Sequence, residues 1–74
     1  MANVTEAKNV KVGDYIHTAD GSDIREVYKV TRSGRVEDIF TGKLKFTTRR
    51  FYFTSATGTA FDVERNAETL ISVF

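Results

Sequence analysis

The chain has 74 residues, 41% hydrophobic and 28% charged, with a formal net charge of +1. That length holds one modest core, so a single domain spanning 1–74 is expected, burying roughly 60–65% of its unfolded surface. Cysteine is absent, which excludes disulfides and thiolate zinc sites and suits a reducing, cytoplasmic setting. No apolar run approaches the roughly 18 residues of a membrane span, and M-A-N-V-T-E-A-K lacks the order of a signal peptide.

In chain order, Thr5 is placed to cap one helical turn over residues 5–9, a segment that reads equally well as irregular. Val10 and Val12 alternate with Lys11, and the pattern resumes after Gly13-Asp14 as Tyr15, Ile16 and His17. This predicts a strand with a mid-strand glycine at a bulge or bend. Asp20-Gly21 predicts a chain reversal into a strand over Ile24 to Thr31, where Val27 and Tyr28 must face opposite sides. Ser33-Gly34 predicts the next hairpin turn, leading into a strand from Val36 to Thr41, and Thr41-Gly42 a third break.

Lys43 to Phe53 holds Leu44 and Phe46 on one parity and Phe51 and Phe53 on the other. A straight strand cannot bury both pairs on one face. Either Thr47 to Arg50 contains a turn or bulge, or the two ends serve different layers. Ala56 to Thr59 turns the chain again before a short strand begins at Phe61 and Val63. At the C-terminus Val63, Ala67, Leu70, Ile71 and Phe74 fit one face of a helix, but T-L-I-S-V-F is rich in β-formers and Asn66-Ala67-Glu68 makes a turn. A final strand is the favoured expectation. The residues expected to form the core are Val12, Ile16, Val30, Val36, Leu44, Phe46, Phe61, Leu70 and Ile71.

Turn signals near positions 21, 34, 42, 58 and 66 have the spacing of short strands in an all-β domain. The expected fold is a single small SH3-like barrel, or a strongly bent meander of about five to seven short antiparallel strands, with at most one or two short helical turns. Over residues 8–42, the succession V-K-V-G-D-Y-I, D-G, V-Y-K-V resembles small SH3-like or KOW-type barrels, including many short bacteriophage-encoded accessory proteins. Intein-type β domains share the pattern, but their starting nucleophile and later histidine block are missing here. The resemblance implies a binding module and carries over no catalytic residue.

The bland explanation holds for most chemically suggestive residues. His17, the only histidine, lacks the companions a zinc site needs and is expected to face solvent. Asp20, Gly21 and Asp23 are explained by turn chemistry, since the closing glutamate of a calcium loop is missing. The isolated glycines make no phosphate loop, and no nucleophile, base and orienting group come together, so neither enzyme activity nor a metal or other cofactor is expected.

Charge is unevenly distributed. Residues 1–24 carry two bases against four acids, residues 25–50 eight against three, and residues 51–74 one against three. The basic middle includes Lys43, Lys45, Arg49 and Arg50 interleaved with Phe46, Phe51, Tyr52 and Phe53, the pairing of phosphate-attracting and base-stacking groups that single-strand binders use. The candidate binding residues are therefore Arg32, Arg35, Lys43, Lys45, Arg49, Arg50 and Tyr52. The favoured function is a non-enzymatic protein-binding module, such as a phage-type accessory or inhibitor protein or a homo-oligomeric component joined through exposed strand edges. The alternative is a nucleic-acid-binding barrel using 43–53. No membrane partner is expected.

Overall fold

Seven antiparallel strands form two sheets in the computed structural model, which describes residues 3–18 and 23–74. They are β1 (Asn3–Glu6), β2 (Tyr15–His17), β3 (Ile24–Glu26), β4 (Lys29–Glu37), β5 (Leu44–Thr54), β6 (Ala60–Asn66) and β7 (Leu70–Val73), with one 3-10 turn over Ala7–Asn9. One sheet has the order β1-β7-β2-β3 and the other β4-β5-β6. The all-β expectation therefore holds, in its bent-meander form: the sheets are not closed into a barrel.

The chain changes sheets at Val27-Tyr28. The Val27 N–H donates to Asp14 O at 2.8 Å on the four-stranded side, while the Tyr28 N–H donates to Tyr52 O at 3.0 Å on the three-stranded side. The run Ile24 to Thr31 is thus two strands rather than one, and the adjacent Val27 and Tyr28 face opposite ways, one buried and one exposed. Upstream, Lys11 to Asp14 is a turn instead of a strand, closed by the Asp14 N–H on Lys11 O and the Lys11 N–H on the Asp14 carboxylate. Thr5 lies in β1 and caps nothing; Glu6 precedes the 3-10 turn. The Asp20-Gly21 turn lies outside the described residues.

Ser33-Gly34 is not a turn either. Both residues lie within β4, which pairs with β5 in one continuous register from Lys29↔Tyr52 to Glu37↔Leu44. Gly34 adopts φ 68° in mid-strand, a conformation that glycine tolerates and other residues resist. The reversal comes later, over Asp38 to Lys43. Lys43 to Phe53 contains neither turn nor bulge, and its two ends do serve different surroundings. The C-terminal segment is a strand, preceded by a turn in which the Thr69 N–H donates to Asn66 O.

Phe51 and Phe53 form the core with Ala7, Val10, Ile16, Val27 and Val63, and with Val30, Phe61, Ile71 and Val73 packed against them. Register explains the set: Val30, Phe51 and Val63 stand opposite one another across three strands, as do Phe53 and Phe61 on the last two. Each buried phenyl ring contributes about 1.5–3 kcal/mol from removal from water. Of the expected core, Ile16 is buried, Val30, Phe61 and Ile71 are half-buried against it, and Phe46 is half-buried outside it. Val12, Val36, Leu44 and Leu70 are exposed. Val12 sits in the turn, Val36 and Leu44 lie where no second layer covers them, and Leu70 has the outward parity of β7. Small side chains take the close approaches: the 3-10 turn docks on the β6–β7 turn through the Ala7 N–H to Thr69 O and the Lys8 N–H to Ala67 O, burying both alanines.

Candidate interaction surface on the β4–β5 arm

β6 pairs with β5 only from Thr48 to Thr54, so beyond Gly34 and Thr47 the β4–β5 hairpin continues as a two-stranded arm. A ribbon without a third strand has little core of its own. Its end is set by Asp38, whose carboxylate accepts the N–H groups of Phe40 at 2.8 Å and Thr41 at 3.2 Å. The Gly42 N–H closes back on Asp38 O, with Gly42 at φ 70°, and the Asp38 N–H donates to Lys43 O. This aspartate-centred turn throws the residues it encloses outward: Ile39 is 87% and Phe40 91% exposed. Val36 and Leu44, both about half exposed, lie below the tip on opposite faces of the ribbon, Val36 beside Lys45 and Leu44 beside Glu37.

The candidate binding residues divide between the arm and its base. Arg35, Lys43 and Lys45 are exposed and make no ion pair with a described residue. Arg32 lays its guanidinium 5.3 Å from the centre of the Phe46 ring, a cation–π contact that leaves its charge available. Arg35, Lys43 and Lys45 stand on the two-stranded arm beside Glu37 and Asp38, whereas Arg32 lies opposite Arg49, where β6 still pairs with β5. Arg49, Arg50 and Tyr52 belong to the three-stranded base and are already engaged. Arg49 donates to the carbonyls of Phe46 and Thr48 on its own strand. Arg50 bridges Asp62 and Glu64 on β6. The hydrogen bond to Asp62 raises its pKa, reinforced by the fields of both carboxylates. Glu64 also accepts from the hydroxyls of Ser33 and Thr48, so Arg50 is locked in a three-strand polar network. Tyr52 is half-buried beneath Lys29, whose ammonium lies 5.2 Å from the ring centre, with Tyr28 alongside. The expected continuous basic and aromatic surface over 43–53 is therefore divided. No family model and no curated protein matches the chain.

Residues that sequence reasoning missed are Ile39 and Phe40, assigned to a strand although their adjacency broke its alternation. An aspartate immediately before them and Thr41-Gly42 immediately after were the available signal for a turn.

A second apolar surface lies on the outer side of the four-stranded sheet. Val4 pairs with Ser72, Glu6 with Leu70, His17 with Ile24 and Tyr15 with Glu26, whereas Ile16 and Val73 pair on the inner side. Val4, Tyr15, Ile24, Leu70 and Phe74 are exposed there, and His17 meets Phe74 edge to face at 4.9 Å. Among the described residues no three His, Asp or Glu side chains gather as a metal site requires, and no helix is long and apolar enough to cross a membrane.

Proposed function

We propose that this chain is a non-enzymatic binding module, working in the cytoplasm, that engages a protein partner through the tip of its β4–β5 arm. The observation that carries this proposal is the near-complete exposure of Ile39 and Phe40 on a turn hydrogen-bonded to hold them out. Adjacent large apolar residues in water gain most by entering an apolar pocket, and a buried aromatic anchor is the commonest centre of a protein interface. The cysteine-free sequence suits a reducing compartment.

The test is capture of partners from a nuclease-treated extract of the native cells by tagged protein, with an Ile39→Ser, Phe40→Ser double variant beside it. Partners retained by the native chain and lost by the variant support the proposal; equal capture by both refutes it. The exposed Arg35, Lys43 and Lys45 favour one alternative, a nucleic acid gripped by the arm. Fluorescence anisotropy decides between them: oligonucleotide binding below about 100 μM, weakening with salt at a log–log slope near −0.7 to −0.9 per phosphate contact, would replace the protein partner with a nucleic acid.

A further inference from the structure

The chain's three tyrosines, distant in sequence, come together where it crosses from one sheet to the other. Tyr15 and Glu26 are register partners on the outer face of the four-stranded sheet. Val27 then turns into the core, so Tyr28 points out and lies beside Tyr52, with the ring centres 6.3 Å apart. Tyr15 and Tyr28, each nearly half exposed, line one open hollow of about 310 Å³ with Ile24, Arg25, Glu26 and Thr54. Thr54 and Leu44 are the two ends of β5, roughly 33 Å apart at the rise of a strand. The hollow is therefore remote from the Ile39-Phe40 tip.

Two of the lining residues carry charge, and only one of them is compensated. Arg25 pairs with Asp23 and donates to Thr54 O. Glu26 is exposed and makes no ion pair with a described residue. Ring faces beside an unpaired carboxylate attract an organic cation, the rings through their quadrupoles and the carboxylate through its charge. The chain displays that attraction on the third tyrosine, since the Lys29 ammonium lies 5.2 Å from the centre of the Tyr52 ring. Among the described residues no cation occupies Tyr15 or Tyr28 in the same way. We propose that this hollow is a second binding site, one that takes the guanidinium or ammonium of an arginine or lysine side chain from a protein partner, with the rings of Tyr15 and Tyr28 against the cation and Glu26 opposing its charge. Arginine suits it best, because a planar guanidinium stacks on a ring and pairs with a carboxylate at once. A neutral side chain of the same shape keeps the apolar contact with Ile24 and the rings but leaves Glu26 unanswered.

Amide NMR spectra of the full chain, titrated with short capped peptides, test this. The probes are Gly-Arg-Gly, Gly-Lys-Gly and their neutral counterparts with citrulline or acetyl-lysine at the centre. The arginine peptide should shift the amides of Tyr15, Ile24 to Tyr28 and Thr54 saturably, with a Kd of roughly 1–20 mM, the scale of one such contact. The lysine peptide should follow within about 5-fold, and both neutral peptides should bind at least about 5-fold more weakly than their charged counterparts. Tyr28→Ala should weaken the arginine peptide about 3- to 30-fold and Tyr28→Phe should not, since the ring face makes the contact. Glu26→Gln should weaken it about 2- to 10-fold and remove most of its salt dependence. Tyr15→Ala serves as the second ring variant should Tyr28→Ala fail to fold. No saturable shift up to about 50 mM peptide, equal binding of the citrulline peptide, unchanged binding by the ring variants, or shifts centred on the arm overturns the proposal. Each of these results leaves the reading of the arm standing, because that reading depends on partners lost with Ile39 and Phe40.

Discussion

Gly34→Ala is the most informative single change. At φ 68° an alanine costs about 1–2 kcal/mol of backbone strain, offset by about 0.4–1 kcal/mol because glycine loses more freedom on folding. The added Cβ would overlap Thr47 Oγ1 and stand 3.0 Å from Thr48 Oγ1. Thr47 must then swing away, giving up its 3.0 Å hydrogen bond to Gly34 O, worth about 1 kcal/mol, and the crowding adds about 1 kcal/mol or more. The sum is about 3 kcal/mol, against a total stability of roughly 4–11 kcal/mol for a domain of this length. Urea unfolding measures it: with a slope of about 1–3 kcal/mol/M, the midpoint should fall by about 1–3 M. Gly42→Ala, at φ 70° with nothing within 4 Å of the new Cβ, isolates the backbone cost and should lose only about 1 kcal/mol. Adding Thr47→Ala to Gly34→Ala should recover the crowding part but not the backbone part. A Gly34→Ala protein as stable as the native chain would refute the mid-strand placement of Gly34.

Three further outcomes follow from the packing. Phe51→Ala or Phe53→Ala should cost about 3–5 kcal/mol and come close to unfolding the chain, whereas Leu44→Ala, half exposed on the arm, should change stability by less than about 1 kcal/mol; thermal or urea unfolding separates them. Arg50→Glu should lower the melting temperature because it faces Asp62 and Glu64 with a third carboxylate, while Lys43→Glu and Lys45→Glu on the arm should leave it unchanged. Amide hydrogen exchange should be faster over Arg35 to Lys45 than over Thr48 to Thr54 by on the order of 10- to 100-fold, since only the latter segment has strands on both sides.

Local chemistry made several elements legible in the sequence. Thr41-Gly42, the Ala56 to Thr59 turn, Asn66-Ala67-Glu68 and the β-branched run at the C-terminus reported their structures because glycine, asparagine and β-branched side chains bias their own dihedral angles. The alternation of Lys43 to Phe53 likewise showed that its two ends could not share one buried face. Which end was buried depended on what lay above it. Phe51 and Phe53 sit over the four-stranded sheet while Leu44 and Phe46 run out beyond β6, and parity carries no information about where a neighbouring strand stops. Ser33-Gly34 had the composition of a hairpin turn, but the eight register pairs from Lys29↔Tyr52 to Glu37↔Leu44 hold it in mid-strand, where glycine's freedom serves close approach to Thr47 instead. The candidate basic residues were separated for the same reason. Arg35, Lys43, Lys45, Arg49 and Arg50 are alike in sequence, and only the arrival of β6 with Asp62 and Glu64 beside Arg50 neutralised that one while leaving the charges of the arm free. Exposure of Ile39 and Phe40, the feature on which the proposed function rests, is likewise a tertiary property: as neighbours in a strand they place one side chain outward or require a bulge, and only the hairpin carries both past every layer that could cover them.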